Sequence, residues 1–444
     1  MAPLTFGTDG VRGVANTELT PELVLSLGRA AARVLGPGPW LVGRDTRISG
    51  PFLGAALAAG LAAEGASVVD VGVLPTPAVA AACVDRDLPG AMISASHNPF
   101  PDNGVKLFAP GGRKLSDTVE AEIEVALHAL DAPARSGAAV GVLSSDVDGA
   151  LVAYEARLLA ALDGRTLDGM RIVLDCANGS ASTVAGDVFR RAGAGVTVLH
   201  AAPDGININD GCGSTHPESL QAAVRAAGGH AIGLAFDGDA DRVLAVAEDG
   251  SLVDGDEMLA LTAIDLRDRE RLAGNAVVVT VMSNLGFKQA MRAAGIDVVE
   301  TKVGDRYVLE ALAEGGYALG GEQSGHIIHT TLSSTGDGVL TGLLLADLVR
   351  RSGRTLRALA TTTMRKLPQV LVNVRVASPN RVTDHADVVS AVRAVEARLG
   401  SEGRVLLRPS GTEPLVRVMI EAPTAEEARE VADELAGVVT RALG

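Results

Sequence analysis

The segment AIGLAFDGDADR, at residues 231–242, contains the pattern from which the fold of this chain can be predicted. Its first six residues are apolar or small and are typical of a short buried β-strand. A cluster of aspartates follows at once, so polar side chains stand at the carboxyl end of the predicted strand. Open α/β sheets bind their ligands at that end. The segment therefore predicts an α/β fold with a functional loop after a strand.

The same succession of apolar strand and polar loop occurs at three other places: 91–93 before SASHNP at 94–99, 171–174 before DCANG at 175–179, and 276–281 before MSN at 282–284. Helix signals alternate with these strands. At one of them, Thr20 is a predicted N-cap and Pro21 occupies the first helical position. Such alternation favours α/β architecture with largely parallel sheets. We hypothesise three related α/β layers, although no strict sequence period supports the relationship.

The last part of the chain has a different order of elements. The predicted elements are a strand at 371–376, a helix at 387–399 closed by Gly400, strands at 404–407 and 415–420, and a final helix that begins at Thr424 with Glu427 in a capping box. The order β-α-β-β-α predicts a small separate α+β domain. The predicted domains are 1–150, 151–250, 251–366 and 367–444.

Composition limits what the protein can be. The chain has 444 residues, and its 47% hydrophobic content is enough to bury substantial cores and excludes a disordered protein. A net charge of −15 argues against nucleic acid as the main partner. Three widely spaced cysteines without a Cys-x-x-Cys pair fit a reduced cytosol and speak against a disulfide framework or a zinc site. We see no secretory signal and no apolar stretch of roughly 20 residues, so we expect a cytoplasmic protein without a membrane partner.

The aspartate cluster is the best candidate for a metal site. Residues i, i+2 and i+4 of an extended chain point the same way, so Asp237, Asp239 and Asp241 are predicted to converge. Three like charges require a cation, and oxygen-only ligands indicate Mg²⁺ or Ca²⁺. An EF-hand is a competing interpretation because Glu248 is at the twelfth position, but Arg242 stands where that loop requires glycine and the preceding segment is strand-like. A solvated acidic turn is the alternative without a ligand.

Ser96, in the loop after the strand at 91–93, is the candidate nucleophile. A hydroxyl is a weak nucleophile that needs a base or a metal, and a phosphoserine would offer oxygen ligands to the same cation. Lys106, one of only five lysines, follows ten residues later. An ordinary Ser/Asn/Pro turn and a surface lysine are the alternatives.

Two further loops suit a phosphorylated or polyhydroxylated ligand. The loop RPSGTEP at 408–414 offers hydroxyls, backbone N–H groups and an arginine to an anion, and Arg417 can point to the same place. In the loop GGEQSGH at 320–326, Glu322 and Ser324 could bind vicinal hydroxyls and His326 could act as an acid or base. For both loops an ordinary turn or structural loop is the alternative.

Five motifs together make the sequence resemble the α-D-phosphohexomutase superfamily over essentially its whole length: FGTDGVRG at 6–13, SASHNP at 94–99, DGDADR at 237–242, GEQSGH at 321–326 and RPSGTEP at 408–414. Within the superfamily the sequence is most similar to the bacterial phosphoglucosamine mutases. The resemblance implies three topologically similar mixed-sheet α/β domains plus a C-terminal α+β domain around a central cleft.

The resemblance also implies roles for individual residues. Ser96 is expected to be phosphorylated and, together with Asp237, Asp239 and Asp241, to bind one Mg²⁺ per chain. Lys106 and His326 are the expected proton-transfer partners. The residues expected to bind the substrate are Arg12, Arg242, Glu322, Ser324, Arg408, Ser410, Gly411, Thr412 and Arg417.

The reaction implied by the resemblance interconverts glucosamine 6-phosphate and glucosamine 1-phosphate, with glucosamine 1,6-bisphosphate as intermediate and activator, and feeds UDP-N-acetylglucosamine and cell-wall precursor synthesis. Gln323 favours this branch, because mannose/glucose mutases usually carry methionine there, yet no residue is evidently reserved for the 2-amino group. The alternatives are a phosphomannomutase/phosphoglucomutase, a metal-dependent sugar-phosphate phosphatase and a non-catalytic sugar-phosphate- or metal-binding protein. The expected partner is a small phosphosugar, and the expected assembly is a monomer or homodimer.

Overall fold

The computed structural model describes residues 6–7, 9–130, 134–410 and 413–444. The chain forms two compact units, one of Met1–Met282 with Ile296–Thr361 and one of Ser283–Gly295 with Thr362–Gly444. The described part of the first unit contains three sheets, and that of the second contains one. No helix within the described ranges is long and apolar enough to cross a membrane.

The first layer is a six-stranded sheet with the strand order β1-β5-β4-β2-β3-β6. Its strands are β1 (Val11–Val14), β2 (Trp40–Arg44), β3 (Val68–Val73), β4 (Gly90–Ile93), β5 (Asp102–Phe108) and β6 (Leu143–Ser145). Its helices are α1 (Pro21–Leu35), α2 (Gly50–Ala63), α3 (Thr76–Arg86) and α4 (Asp117–His128), and α5 (Val147–Ala160) leads to the second layer.

Helix α1 shows how the local sequence fixes an element. The Thr20 side chain accepts a hydrogen bond from the Leu23 N–H at 3.3 Å, and Pro21 is the first helical residue. One face of the helix, which includes Val24 and Leu27, is buried against the sheet and α2. The predicted helix start is confirmed, because a side-chain oxygen satisfies an N–H group that has no partner within the helix.

The second and third layers are five- and four-stranded sheets. The second contains β7 (Arg171–Asp175), α6 (Ala185–Arg191), β8 (Gly195–Leu199), α7 (Glu218–Ala227), β9 (Ile232–Phe236), β10 (Val243–Val246) and β11 (Leu252–Val253). The elements of the third and its flanks are α8 (Gly255–Asp268), β12 (Ala276–Thr280), α9 (Leu285–Ala293), β13 (Asp297–Thr301), α10 (Asp305–Gly315), β14 (Leu319–Gly321), β15 (Ile327–His329), α11 (Gly338–Ser352) and α12 (Leu356–Thr363).

The three sheets of the first unit share one four-strand arrangement. In order across the sheet, the shared strands are β5-β4-β2-β3, β10-β9-β7-β8 and β15-β14-β12-β13. In each set the last three strands are parallel, and the first returns antiparallel as a hairpin. This confirms three related layers with mixed sheets. The largely parallel sheets expected from alternation alone hold for these three strands of each set and for β6, which pairs parallel with β3, but not for the antiparallel hairpin strand, because hydrophobic patterns do not report the direction of a strand.

The shared arrangement gives three predicted loops the same place in the three layers. In chain order, each connects the third shared strand (β4, β9 or β14) to the fourth, antiparallel strand (β5, β10 or β15). We call them the serine loop (94–101), the aspartate loop (237–242) and the glutamate loop (322–326). Three motifs that are far apart in the sequence therefore occupy equivalent sheet ends.

The second unit contains an antiparallel sheet, β16-β18-β17, and two helices that follow β16 in the chain. Its elements are β16 (Gln369–Arg375), α13 (Ala386–Leu399), β17 (Arg404–Pro409), β18 (Leu415–Glu421) and α14 (Ala425–Leu443). The predicted β-α-β-β-α order is confirmed. The Thr424 side chain accepts from the Glu427 N–H at 3.2 Å, which is one half of the expected capping box.

The second unit also contains α9, which precedes the rest of the unit by about 70 residues of chain. Asn284, the N-cap of α9, exchanges two hydrogen bonds of 3.0 Å with the backbone of Leu367. The Leu285 N–H donates to Oε2 of Glu421 at 2.8 Å. Phe287 and Met291 of the helix are buried. Helix α9 is therefore attached to residues that come much later in the sequence.

Candidate active site

Ser96 lies in the serine loop and is fully buried. Its Oγ donates a hydrogen bond of 2.5 Å to Oδ2 of Asp237 in the aspartate loop. Its φ is 53°, in the left-handed region that costs a residue other than glycine about 1 kcal/mol. The structure therefore brings two predicted motifs into contact and holds the serine in a conformation that requires support.

Arg47 provides much of that support, because its buried guanidinium binds the backbone of the serine loop. Its two terminal nitrogens donate to four carbonyl oxygens at 2.5–3.1 Å, those of Ser96, Asn98, Pro99 and Asp102. One planar, permanently charged group thus fixes the course of the loop on both sides of the serine.

Asp45 anchors the guanidinium in turn. Its Oδ2 accepts from Nε of Arg47 at 2.9 Å and from the Ser94 hydroxyl at 2.7 Å. The Ser94 oxygen accepts from the Ser96 N–H at 2.9 Å, and Nδ2 of Asn209 donates to the Ser96 carbonyl at 2.9 Å. The backbone of Ser96 is therefore held at both its N–H and its carbonyl group. The sequence analysis did not single out Asp45, Arg47 or Asn209.

Asp237, Asp239 and Asp241 converge as predicted. One carboxylate oxygen of each lies within 4.8 Å of the others, and all three residues are buried. Burial and the charges of Asp241 and Asp239 raise the pKa of Asp237 well above its usual range. Oδ1 of Asp239 and Oδ1 of Asp241 are buried without a hydrogen-bond partner. Clustered, unsatisfied carboxylate oxygens fit a hard cation such as Mg²⁺. Strands β9 and β10 flank the loop, so it is not an EF-hand, which requires helices.

Lys106, on β5, partly neutralises this cluster and is itself almost fully buried. Its Nζ donates to Oδ2 of Asp239 at 2.8 Å and to Oδ2 of Asp241 at 3.1 Å, and it lies 3.1 Å from Oδ2 of Asp9. Burial by itself disfavours the ammonium, but these carboxylates outweigh it and raise the pKa of Lys106 well above its usual value. Lys106 is therefore placed to supply positive charge next to the triad.

The Asp239 carboxylate has one further partner from the first layer. The Thr76 hydroxyl donates to Oδ2 of Asp239 at 2.6 Å. The Thr76 N–H donates to the backbone carbonyl oxygen of Asp239 at 2.9 Å. Thr76 follows β3, so it too lies after a strand, but a single threonine before a proline gave no signal in the sequence.

His326 lies between two carboxylates. Its Nδ1 is 3.6 Å from Oδ1 of Asp241, and its Nε2 is 3.7 Å from Oδ2 of Asp305. Burial disfavours the imidazolium, but Asp241 and then Asp305 outweigh it and raise the pKa of His326. A ring that holds a proton beside the aspartate loop can act as a general acid near neutral pH.

A cavity of about 430 Å³ opens beside these groups, within the size range of small-molecule sites. Its charged lining residues are Asp9, Arg12, Asp241, Arg242, Asp305, Glu322 and His326. The predicted substrate residues of the first unit, with the exception of Ser324, thus line one cavity.

The cavity residues are oriented by further contacts. Arg242 donates from Nη1 to Nδ1 of His97 at 2.9 Å, and Arg12 pairs with Asp9. Burial and the charges of Arg242 and Arg12 lower the pKa of His97 to about 4, so its ring nitrogen is available as an acceptor.

In the glutamate loop, Glu322 is held by two donors. Its Oε1 accepts from the Gly304 N–H at 3.2 Å, and its Oε2 accepts from the exposed Ser324 hydroxyl at 3.4 Å. Glu322 and Ser324, both predicted to bind a ligand, are therefore in contact with each other.

The second unit carries the remaining predicted residues. Arg408 on β17 and Arg417 on β18 are register partners, and burial together with the Arg417 charge lowers the pKa of Arg408. Neither arginine makes an ion pair with any described residue, and the Ser410 hydroxyl is buried without a partner. Two adjacent cations and an unsatisfied donor fit an anion. Gly411 and Thr412 lie outside the described residues.

The sequence matches all four domains of one family. The matches are phosphoglucomutase/phosphomannomutase alpha/beta/alpha domain I at residues 3–134, domain II at 153–250, domain III at 254–367 and the C-terminal domain at 371–438.

Known proteins are similar to the chain over its whole length. A protein from Streptomyces coelicolor named phosphoglucosamine mutase is 56% identical, with 99% of each chain covered. The solved structure of a phosphoglucomutase/phosphomannomutase family protein from Burkholderia thailandensis has a TM-score of 0.82 at 26% identity and covers 98% of this chain and 97% of its own. N-acetylphosphoglucosamine mutase from Aspergillus fumigatus, solved with GlcNAc-6P and magnesium, shares the fold with a TM-score of 0.71 at 20% identity, covering 99% and 96%.

Proposed function

This chain belongs to the phosphoglucomutase/phosphomannomutase family, and from that membership we propose that it is a phosphoglucosamine mutase, which interconverts glucosamine 6-phosphate and glucosamine 1-phosphate. It is an isomerase of the phosphohexomutase class. The observation that carries the mechanism is the 2.5 Å contact between the Ser96 hydroxyl and the aspartate loop. A nucleophile next to a cation site is what phosphoryl transfer through a phosphoserine requires.

The residues that would hold Mg²⁺ are Asp237, Asp239 and Asp241, with an oxygen of phosphorylated Ser96. The two unsatisfied carboxylate oxygens of the triad support this assignment. Bound there, Mg²⁺ would neutralise charge on the phosphoryl oxygens. Magnesium is also present in the solved N-acetylphosphoglucosamine mutase complex.

Each step of the proposed reaction is assigned to particular residues of the chain. The phosphoryl group passes from Oγ of phosphorylated Ser96 to the free hydroxyl of the sugar phosphate, so that the Oγ–P bond breaks as the new O–P bond forms. The proton of that hydroxyl ends on Oγ of Ser96, with His326 or Lys106 as the proton-transfer partner. The 1,6-bisphosphate then turns around, and the other phosphate returns to Ser96, so the enzyme ends in its starting state. Lys106 stabilises charge at the transferred group, and Arg12 and Arg242 bind and orient the substrate from the cavity wall.

The remaining contacts hold the sugar. Glu322 and Ser324 are placed to bind its hydroxyls, and Arg408, Ser410 and Arg417, with Gly411 and Thr412, would bind the phosphate that is not being transferred. The unpaired arginines and the buried Ser410 hydroxyl support that role. The domain limits 1–150, 151–250, 251–366 and 367–444 and a monomeric or homodimeric assembly are also part of the proposal.

Parallel assays of glucosamine, glucose and mannose 6-phosphates, with Mg²⁺ and a bisphosphate activator, test the function. We expect kcat/KM for glucosamine 6-phosphate to exceed the other two values by at least about tenfold. Preference for mannose or glucose 6-phosphate would instead identify a phosphomannomutase/phosphoglucomutase. Release of inorganic phosphate without formation of an isomer would identify a phosphatase.

Asp237→Asn is expected to raise the stability of the metal-free protein by about 1–2 kcal/mol and to weaken Mg²⁺ binding by at least about tenfold. The reason is that burial and the two neighbouring carboxylates disfavour the ionised form of Asp237, and the substitution removes this cost but keeps the size of the side chain. Urea denaturation in the presence of a chelator measures the first effect, and calorimetric titration with Mg²⁺ measures the second.

The control for this substitution is Asp187→Asn, because the Asp187 side chain is 71% exposed and its effect should stay within about 0.5 kcal/mol. If Asp237→Asn destabilised the metal-free protein or left Mg²⁺ binding unchanged, the aspartate loop would not be the cation site.

A further inference from the structure

The carboxylates that line the cavity differ in how many of their oxygen atoms already have a hydrogen-bond or ion-pair partner in the protein. Both oxygens of Asp9 are paired, Oδ1 with Lys114 and Oδ2 with Arg12 and Lys106. Both oxygens of Glu322 accept hydrogen bonds from the protein, one from a backbone N–H and one from a hydroxyl. Each oxygen of these two carboxylates therefore already has at least one partner in the protein.

Asp305 differs from these two. Its Oδ2 pairs with Nζ of Lys114 and lies near Nε2 of His326. Its Oδ1 makes no hydrogen bond with any described residue and is not fully buried. The side chain is 11% exposed, and the residue lines the cavity. Among the cavity carboxylates outside the aspartate loop, Asp305 alone has an oxygen without a partner among the described residues.

The position of Asp305 is fixed by its neighbours. It is the first residue of α10, and Gly304 before it is held by Glu322 through its N–H group. Lys114, on the first layer, holds one carboxylate oxygen, so the other cannot easily turn away. His326 lies between Asp305 and Asp241, so the Asp305 carboxylate is about one imidazole ring from the aspartate loop.

We infer that Asp305 binds the 2-ammonium group of a hexosamine phosphate and sets the preference for this sugar over hexose phosphates with a 2-hydroxyl. This inference rests on the proposed function and assigns its sugar specificity to one residue. An amine of this kind is largely protonated at neutral pH, and an ammonium donates a charge-assisted hydrogen bond to a carboxylate. A 2-hydroxyl donates only a neutral one, so the same contact favours the amino sugar.

The test compares binding and turnover of two sugars. Binding of glucosamine 6-phosphate and glucose 6-phosphate is measured by calorimetry in Ser96→Ala, which cannot transfer a phosphoryl group, with and without Asp305→Asn. The asparagine keeps the shape of the side chain and removes its charge. We expect affinity for glucosamine 6-phosphate to fall by about 10- to 100-fold and affinity for glucose 6-phosphate to change by less than about threefold. The ratio of kcat/KM values in enzyme with an intact Ser96 should shift by the same factor.

Asp297→Asn is the matched control, because it removes an exposed carboxylate of the same layer, at the start of β13, and leaves Asp305 and its partners unchanged. It must not reproduce the selective loss for glucosamine 6-phosphate. If Asp305→Asn does not fold, as judged by thermal unfolding, Asp305→Ser replaces it. An equal loss for both sugars, or no loss, would overturn the inference.

Failure of the proposed function would show differently. In that case the unsubstituted enzyme would not isomerise glucosamine 6-phosphate, whatever the Asp305 variants bind. A working glucosamine mutase whose sugar preference is unaffected by Asp305→Asn would reject only the role of Asp305.

Discussion

Ser96→Ala is expected to abolish the interconversion of glucosamine phosphates, with kcat reduced by at least about 10⁴-fold. The methyl group cannot carry a phosphoryl group, and the neighbouring Ser94 hydroxyl cannot take over, since it is bound to Asp45 and is not in contact with the aspartate loop. The fold should tolerate the change, because the backbone contacts of Ser96 to Arg47 and Asn209 do not involve its hydroxyl.

Intact-mass measurement of the purified protein, alone and after incubation with a bisphosphate, provides a second readout. We expect a single phosphoryl adduct in the unsubstituted enzyme and none in Ser96→Ala. Ser136→Ala, at an exposed serine of the first layer, is the control and should retain both adduct and activity. Full activity of Ser96→Ala would refute the phosphoserine mechanism.

Arg47→Met should lower the free energy of unfolding by about 3–5 kcal/mol and reduce activity severely. The substitution leaves the Asp45 carboxylate buried without its cation, which is among the most unfavourable changes in a protein interior. It also removes the donor of four carbonyl groups of the serine loop, so that Ser96 loses the contacts that hold its left-handed backbone. Urea denaturation and the assay for glucosamine phosphate interconversion measure the two effects.

Arg44→Met is a matched control three residues away. Arg44 pairs with Asp70, whose side chain is 46% exposed, so this ion pair should be worth at most about 1 kcal/mol. If the two methionine variants were equally stable and equally active, the guanidinium of Arg47 would not support the serine loop.

The sequence predicted the fold well where its signals are local. Strands before polar loops, the Thr20 cap and the β-α-β-β-α order are properties of short segments, and the structure confirms them. The convergence of Asp237, Asp239 and Asp241 was also predictable, because all three aspartates lie in one loop. The antiparallel fourth strand of each layer was not, since its direction depends on tertiary packing.

The supporting residues of the site were harder to find. Asp45 and Arg47 follow β2 directly, so the rule that polar residues after a strand are functional could have indicated them. Their role still depends on burial, because an exposed arginine in the same place would bind water instead of four carbonyls. Asp305 gave no signal, because its importance lies in an unoccupied oxygen, and sequence patterns do not show which contacts a carboxylate lacks.

The attachment of α9 to the second unit has a consequence for the growing chain on the ribosome. Its partners around Leu367 and Glu421 are made about 80 to 130 residues later, which at 5–20 residues per second is a delay of several seconds or more. During that time Asn284 and Leu285, at the start of α9, lack these partners. A chain that stops before residue 362 would lack the rest of the unit to which α9 belongs, so we expect a protein truncated there to aggregate even though its three α/β sheets were complete.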